Sequence, residues 1–233
     1  MKVEVLVPCY KRVEYTRRYL PPLIENTRYP DVHFRLVDDG SQDGTAEFLQ
    51  SLAEQHDNVK ADAFQVNFGL RWRILEFWDS SDAPILAKMD NDCEVPEGWL
   101  TKLVETLEAC PELGIVSPVI HTVWIDGDTL MAPQGKIGFN RGRKYWEALT
   151  IGGLWCMKRS VLESPSDFVK GKDDGITGAH ELIKALQSQG VVMGWLPEVV
   201  VQHVGYHKGT HGDYIDSPEH REYNRRRGGR KMK

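Results

Sequence analysis

The sequence predicts an α/β domain in which a mainly parallel sheet is flanked by helices. Short apolar runs alternate with segments of helical periodicity, and most of these runs end in turn residues. The chain has 233 residues, of which 41% are hydrophobic and 27% charged, so it can bury a substantial core. Strand-helix-strand alternation places successive strands parallel, because the intervening helix carries the chain back across the sheet.

The spacing of apolar residues divides the first half of the chain into predicted strands and helices. Strands are expected where apolar residues alternate or run on to a turn, and helices where they recur every three or four positions. In chain order the elements are a strand at 3–7, a helix at 14–26, a strand from 33 to the turn DDGS, helices at 45–55 and 70–79, a strand at 84–90, a helix at 99–110 and a strand at 114–120. Pro21 and Pro22 are expected to kink the first helix, and Asp43 to cap the second.

The second half is less regular. Residues 126–147 are rich in glycine, basic and aromatic residues without clean periodicity, which indicates a long loop or a hairpin. Regular structure is expected again at 151–163, in a helix near 179–189 closed by Gly190, and in two short strands at 191–196 and 198–204.

Composition excludes several classes of protein. A net charge of −5 argues against a protein that coats nucleic acid with its whole surface, although residues 216–233 form a basic tail. No apolar run approaches the roughly 20 residues of a membrane span, and no signal-peptide core is visible, so we expect a soluble cytoplasmic protein. The four cysteines lack C-x-x-C spacing, which favours reduced thiols over disulfides or a thiolate zinc site.

Three predicted strands end in polar turns, namely PCYKR, VDDGSQDGT and MDNDCEVP. Ligands of open parallel sheets bind at the carboxyl ends of the strands, so these turns are candidate binding segments. Asp38 and Asp39 can accept hydrogen bonds from a nucleobase N–H or a ribose hydroxyl. The same two residues also fit an ordinary polar turn before a helix.

Asp90 and Asp92 flank Asn91 directly after an apolar strand. One of these carboxylates can ligate a divalent ion while the other meets a ribose or a metal-bound water. Carboxylate oxygens suit Mg²⁺ and Mn²⁺, which leave coordination positions open for substrate phosphates. A D-x-D triplet alone also occurs in polar turns, but its place after a buried strand favours the ligand interpretation.

The motifs, taken in order, resemble glycosyltransferase family 2, a group of inverting enzymes with the GT-A fold. VLVPCYKR resembles the family's nucleotide-contacting first strand, LVDDGSQDGT its uracil-site motif, VNFGLRWR its N-x-G segment and MDNDCEVPEGWL its D-x-D strand. The resemblance covers residues 3–110 and continues more weakly to 204. It implies one GT-A domain over residues 1–215, with a nucleotide-binding half at 1–110 and an acceptor-binding half at 111–215.

The resemblance also implies nucleotide contacts. The implied set is Pro8, Tyr10, Arg12, Asp39, Arg71 and Asp90. Tyr10 and Asp39 would contact the base, and Arg71 would lie near the base or the diphosphate. Asp90 would approach the ribose or the metal. The donor implied is a nucleoside diphosphate sugar, with a UDP-sugar favoured.

The metal implied by the resemblance is Mn²⁺ or Mg²⁺. Asp92 would ligate it, and His203, at the end of VVVQHV, would approach the metal or the diphosphate. His203, His207 and His211 recur every fourth residue, which on a helix would form a zinc-binding face. The glycines between them indicate a loop instead.

Inverting transfer requires a carboxylate that takes the proton of the acceptor hydroxyl. Family members supply this general base from an acidic pair just before a helix, and KGKDDGITGAHELIKALQSQG offers Asp173 and Asp174. Aligning the helix without a gap puts Ala179 at the base position and Glu181 two residues later. Asp174 is the favoured base and Asp173 and Glu181 are the alternatives, although all three also fit cap or surface positions.

Features of the second half bear on the acceptor. The Q-x-x-R-W motif of processive synthases is missing, as are their membrane segments, which implies transfer of a single sugar. Basic and aromatic residues at 139–146, together with the basic tail, fit a glycan, a lipid-linked glycan or nucleic acid with a modified base. They also fit an ordinary acceptor loop and a solvated tail. The competing function is a non-catalytic nucleotide-sugar or glycan-binding protein of the same fold.

Overall fold

The computed structural model describes residues 1–124, 127–131, 136–140, 143–148, 151, 153–161 and 185–204. Within these ranges the chain forms one sheet of eleven strands, four α-helices that are described in full, a 3₁₀ helix at Arg159–Val161 and a helical segment at 185–188. The helices are α1 Val13–Asn26, α2 Thr45–Gln55, α3 Leu70–Ser80 and α4 Trp99–Ala109. The strands are β1 Val3–Cys9, β2 Val32–Asp38, β3 Val59–Ala63, β4 Ile85–Lys88, β5 Cys93–Glu94, β6 Leu113–Trp124, β7 Gly127–Met131, β8 Lys136–Asn140, β9 Arg143–Ala148, β10 Trp155–Lys158 and β11 Val192–His203.

The amino-terminal half contains the predicted parallel sheet. Its strands run in the order β3-β2-β1-β4, and all three neighbouring pairs are parallel. The apolar side chains of β1 and β4 are almost fully buried, as expected for strands covered on both faces. Because parallel strands end at the same edge, the turns after β1, β2 and β4 meet there.

The carboxyl-terminal half adds antiparallel strands, so the complete sheet is mixed. β10 pairs antiparallel with both β4 and β6, while β11 runs parallel to β6 and antiparallel to β9. The sequence left two alternatives for residues 126–147, a long loop or a hairpin. β7 pairs with β6 and β8 pairs with β9, so the described parts of this segment form hairpins.

The structure differs from the sequence predictions in two of its strands. The segments 191–196 and 198–204 form one strand, β11, whose register shifts between Leu196 and Val200. Pro197 lies in this shift and has no N–H to donate to the ladder, which accounts for the apparent break in the sequence. The edge strand β3 was not predicted, because its sequence VKADA lacks an alternating apolar pattern.

The helix starts also differ in detail from the predictions. Gly44, with φ of 87°, is the N-cap residue of α2, so Asp43 is not the cap. Asp43 instead accepts hydrogen bonds from the N–H of Thr45 at 3.2 Å and the N–H of Val13 at 3.0 Å, which ties the start of α1 to that of α2. α1 runs through both of its prolines to Asn26.

All four cysteines lie in described ranges, where they are free and buried. Across the residues described by the structure, no helix combines the length and the hydrophobicity needed to cross a membrane.

Candidate functional site

The segment Asp90-Asn91-Asp92 joins β4 to β5 at the carboxyl edge of the parallel strands. Asn91 is buried, and its Nδ2 donates to Thr16 Oγ1 in α1 at 2.7 Å. The middle residue of the triplet is therefore a structural anchor, while the two flanking aspartates supply carboxylates to the site. Asn91 thus fixes the turn against α1, and Asp90 and Asp92 remain for the chemistry of the site.

Sheet pairing brings His203 to the same place. β5 pairs antiparallel with the end of β11, so that His203 lies opposite Cys93. The N–H of Val204 donates to the carbonyl oxygen of Asp92 at 3.0 Å. Backbone hydrogen bonds thus hold together residues that are separated by more than 100 positions in the chain.

The two carboxylates have different surroundings. Asp92 is nearly buried; its Oδ1 lies 3.1 Å from His203 Nε2 and its Oδ2 lies 3.0 Å from Arg12 Nη2. The Asp90 side chain is 30% exposed, and its Oδ2 is 3.9 Å from His203 Nε2. Asp90 Oδ1 forms an ion pair with Nζ of the buried Lys88.

Electrostatics favour the ionised forms of Asp92 and His203. Burial alone would raise the pKa of Asp92, but the charge and hydrogen bond of His203, followed by those of Arg12, outweigh burial and lower it. Burial alone would lower the pKa of His203, but Asp92 and then Asp90 outweigh burial and raise it. Asp92 and His203 therefore form a charge-assisted pair.

This donor set fits a divalent metal ion. Ligand atoms of Asp90, Asp92, Cys93 and His203 all lie within 4.8 Å of one another. Burial, followed by the charges of Asp92 and Asp90, raises the pKa of Cys93 well above its usual range, so this thiol is a poor ligand. The remaining carboxylate oxygens and imidazole nitrogen suit Mn²⁺, and the oxygens suit Mg²⁺.

The turn after β1 delivers Arg12 to this cluster. Lys11 and Arg12 have φ of 58° and 61°, a left-handed conformation that is uncommon for residues other than glycine. The turn is fastened by the N–H of Lys11, which donates to Ser41 Oγ at 2.6 Å. Tyr10, which precedes the turn, is 41% exposed. Strained backbone held by specific bonds is typical of ligand-binding turns.

The turn after β2 is bound to the start of α3. Asp39 Oδ1 accepts from the N–H of Phe68 at 3.1 Å and from Arg73 Nε at 2.7 Å, and its Oδ2 accepts from the N–H of Gly69 at 2.8 Å. Arg73 is buried, and its guanidinium stacks 3.3 Å from the ring centroid of Phe64. The DDGS turn and the N-x-G segment therefore form one unit centred on Asp39.

The structure places the other expected residues as follows. Pro8 lies in β1 opposite Val37, and Arg71 is buried in the first turn of α3. The proposed bases Asp173, Asp174 and Glu181 lie outside the described residues, as do His207, His211 and the basic tail.

Two charged residues at the site, Lys88 and Arg73, were not predicted from the sequence. Lys88 interrupts an otherwise apolar buried strand, which was a visible signal of a partner carboxylate. Arg73 lies on the buried face of an amphipathic helix, where a charged residue also requires a partner.

The family model described as Glycosyl transferase family 2 matches residues 4–164. The chain belongs to this family. An uncharacterised glycosyltransferase of Nostoc sp. is 26% identical over 185 residues, covering 73% of this chain and 55% of that protein. The undecaprenyl-phosphate 4-deoxy-4-formamido-L-arabinose transferase of Proteus mirabilis is 30% identical over 110 residues, covering 46% of this chain and 34% of that protein. The chain thus spans about half and about a third of these relatives.

Solved structures establish the GT-A fold of this family member. GalNAc-T7 with UDP, GalNAc and Mn²⁺ superposes with a TM-score of 0.67 at 16% identity, covering 96% of this chain and 50% of that one. The mannosyltransferase PcManGT from Pyrobaculum calidifontis, in complex with GDP-Man and Mn²⁺, gives a TM-score of 0.66 at 18% identity, covering 100% of this chain and 65% of that one.

Proposed function

We propose that this family 2 member is a metal-dependent inverting glycosyltransferase that moves one sugar from a nucleoside diphosphate sugar to an acceptor hydroxyl. The observation that carries the proposal is the convergence of Asp92, Asp90 and His203 at the carboxyl edge of the parallel strands. Oxygen and imidazole donors beside a nucleotide-type turn match a site for a cation and a diphosphate. The occurrence of Mn²⁺ in two structures of the same fold supports this assignment.

The hydrogen bonds of Asp39 favour uracil as the base. A carboxylate has about four acceptor positions, and those of Asp39 already receive three N–H donors. One position remains, which matches the single imide N–H of uracil, whereas guanine presents two adjacent donors. Exposed Tyr10 offers an aromatic surface on which the base can stack. UDP is therefore favoured over GDP, although structures of this fold contain either UDP or GDP-mannose.

The chain's own residues would divide the chemistry among them. Asp92 and His203 would hold Mn²⁺ or Mg²⁺, which when bound neutralises the charge on the diphosphate leaving group. Arg12, which lies 3.0 Å from Asp92, would add a positive charge beside the diphosphate. Asp174, or alternatively Asp173 or Glu181, would accept the proton of the attacking hydroxyl. One in-line displacement with inversion follows from this set of roles, without a covalent intermediate.

The proposed acceptor is a glycan, a lipid-linked glycan or a modified base in nucleic acid, and the proposed location is the cytoplasm. A relative named undecaprenyl-phosphate 4-deoxy-4-formamido-L-arabinose transferase supports the lipid-linked class. The interleaved basic and aromatic residues at 139–146 and the basic tail support a polyanionic acceptor more generally.

The test is UDP-sugar hydrolysis and transfer to an acceptor panel, with and without EDTA. We expect EDTA to abolish turnover, Asp92→Ala to lose metal-dependent activity, and Asp174→Asn to lower turnover while keeping UDP binding. Asp82→Ala is the matched control, because the Asp82 side chain is 84% exposed and pairs with Lys2 on the surface. Full metal-dependent activity of Asp92→Ala would refute the metal assignment, and tight UDP binding without turnover would favour a binding protein.

A further inference from the structure

Cys93 brings a thiol into the cluster of carboxylates and imidazole. It follows Asp92 at the start of β5, and sheet pairing places it directly opposite His203 of β11. Residues that face each other across an antiparallel pair have side chains on the same face of the sheet, so the thiol and the imidazole lie side by side. Cys93 is only 1% exposed. The site therefore contains a buried soft ligand for which Mg²⁺ and Mn²⁺ have little use.

The ligand atoms already have nearly the spacing of a four-coordinate zinc site. One ligand atom from each of four side chains lies within 4.8 Å of the other three, and these side chains are Asp90, Asp92, Cys93 and His203. His203 Nε2 is 3.1 Å from Asp92 Oδ1 and 3.9 Å from Asp90 Oδ2. In tetrahedral zinc sites, bonds of about 2.0–2.3 Å place the ligand atoms roughly 3.3–3.8 Å apart. Movements of about 1 Å would therefore bring all four atoms onto one ion.

Two neighbouring cations orient the carboxylates and offset their charge. Arg12 bonds to Oδ2 of Asp92, and Lys88 bonds to Oδ1 of Asp90. The oxygen that each carboxylate presents to His203 is the other one, Oδ1 of Asp92 and Oδ2 of Asp90. A thiolate would add a third negative ligand, which the two cations and a divalent ion would together offset.

This ligand set discriminates between cations. Mg²⁺ and Mn²⁺ prefer oxygen ligands and leave a protonated thiol unbound. A thiophilic cation such as Zn²⁺ instead forms a bond to sulfur, and the thiol proton is released to the buffer. Zn²⁺ held by four protein ligands has no position left for a substrate oxygen, whereas a catalytic metal site keeps one position open.

We propose that Asp90, Asp92, Cys93 and His203 form an inhibitory site for a thiophilic divalent cation of the Zn²⁺ class, which displaces Mn²⁺ or Mg²⁺ and blocks donor binding. Binding of the cation depends on the ligand set alone, and only the block of donor binding rests on the proposed function. Cys93 is the residue that selects between the two kinds of ion. The supply of thiophilic metal would thus regulate the transfer reaction at the metal site itself.

The first measurement is the absorption spectrum of the nucleotide-free full chain with Co²⁺, a spectroscopic substitute for Zn²⁺. We expect a sulfur-to-cobalt charge-transfer band in the near ultraviolet, and we expect Cys93→Ala to lose it. Cys9→Ala is the matched control and should keep the band. Cys9 is also 1% exposed and ends β1 at the same edge of the sheet, but it lies outside the four-ligand cluster.

The second measurement compares the affinities for Zn²⁺ and Mn²⁺. Zn²⁺ is measured by competition with a chromophoric chelator, and Mn²⁺ by the electron paramagnetic resonance signal of the free ion. The ratio of the Zn²⁺ affinity to the Mn²⁺ affinity should fall at least about a hundredfold in Cys93→Ala, because loss of even an outer partner of a metal ligand costs about 10–100-fold. Cys93→Ser, which replaces sulfur by a hard oxygen, should lower the ratio as well. A thiol with a purely structural role would weaken the binding of both ions together and leave the ratio unchanged.

The third measurement is calorimetric titration with UDP of protein saturated with one ion or the other. In wild type, Zn²⁺ should give UDP binding at least about tenfold weaker than Mn²⁺ does, because no coordination position remains for the diphosphate. In Cys93→Ala the bound Zn²⁺ has an open position, so UDP should bind within about threefold with either ion.

The outcomes separate this inference from the proposed function. A wild-type Co²⁺ spectrum without the charge-transfer band, or a band that is lost in Cys9→Ala and kept in Cys93→Ala, overturns the cation site. Equally tight UDP binding with Zn²⁺ and Mn²⁺ in wild type overturns the inhibitory role. If the band is present but UDP does not bind with Mn²⁺, the proposed function and the block of donor binding fail while the cation site stands. Should neither Cys93 variant fold, the wild-type spectrum and the wild-type UDP titrations decide.

Discussion

Substitution of Arg73 by methionine is predicted to destabilise the unit that links the DDGS turn to α3. The Arg73 side chain is 4% exposed, and it donates to Asp39 at 2.7 Å and to Glu76 at 2.9 Å. Its guanidinium also stacks on Phe64. Methionine fills most of the same volume and can pack on that ring, so the main loss is the positive charge beside Asp39.

The expected loss in the free energy of unfolding follows from the burial of Asp39, which is 5% exposed. Removing one partner of a buried ion pair costs about 3–5 kcal/mol, because the other charge is left without compensation. Asp39 still receives the N–H groups of Phe68 and Gly69, which places the expected loss near the lower end, at about 3 kcal/mol. In Asp39→Asn/Arg73→Met no carboxylate remains to be compensated, so the double variant should be at least about 1 kcal/mol more stable than the sum of the single losses predicts.

Urea unfolding of the wild type, both single variants and the double variant measures these free energies and their coupling. Arg28→Met is the matched control, because Arg28 and its partner Glu97 are 74% and 67% exposed, and such surface pairs contribute about 0–1 kcal/mol. A loss of stability in Arg73→Met that is no larger than in Arg28→Met would refute this prediction. So would a double variant whose loss equals the sum of the losses in Asp39→Asn and Arg73→Met.

Two further predictions concern the nucleotide turn and the tail. Gly40→Ala should cost about 3 kcal/mol and weaken UDP binding, because Gly40 has φ of 82° and its added Cβ would lie 2.7 Å from the backbone nitrogen of Asn67. The control is Gly44→Ala, which should lower the free energy of unfolding by only about 1–2 kcal/mol, because the φ of Gly44 is 87° but nothing lies within 4 Å of an added Cβ. Equal losses of stability for the two variants in urea unfolding would contradict the clash predicted at Gly40. Removal of residues 221–233 should weaken binding to a polyanionic acceptor and flatten its salt dependence, and an unchanged salt slope in binding titrations would count against a role for the tail.

Much of the amino-terminal half could be predicted because its signals are local. The spacing of apolar residues within a short segment is enough to predict a helix or a strand. The structure has helices α2 and α4 and strands β1, β2 and β4 within a few residues of the predicted positions. The D-x-D triplet and the DDGS turn could be recognised as candidate ligand segments because each follows a strand. Even β11, which seemed to be two strands, differs only because Pro197 interrupts its pattern.

Sequence alone determined which residue types stand at the ends of the parallel strands, because strand and helix periods repeat over short distances. Only the tertiary structure decided which of them meet. Asp92 contacts Arg12 and His203 because β1, β4 and β11 converge on one edge, and Asp39 is occupied by Arg73 because α3 folds back over the turn after β2. These ion pairs form between segments that are far apart in the chain, and the spacing of apolar residues along the sequence does not show which segments meet. Once the fold has formed, each buried charge needs a partner of opposite charge, because burying it alone would be costly.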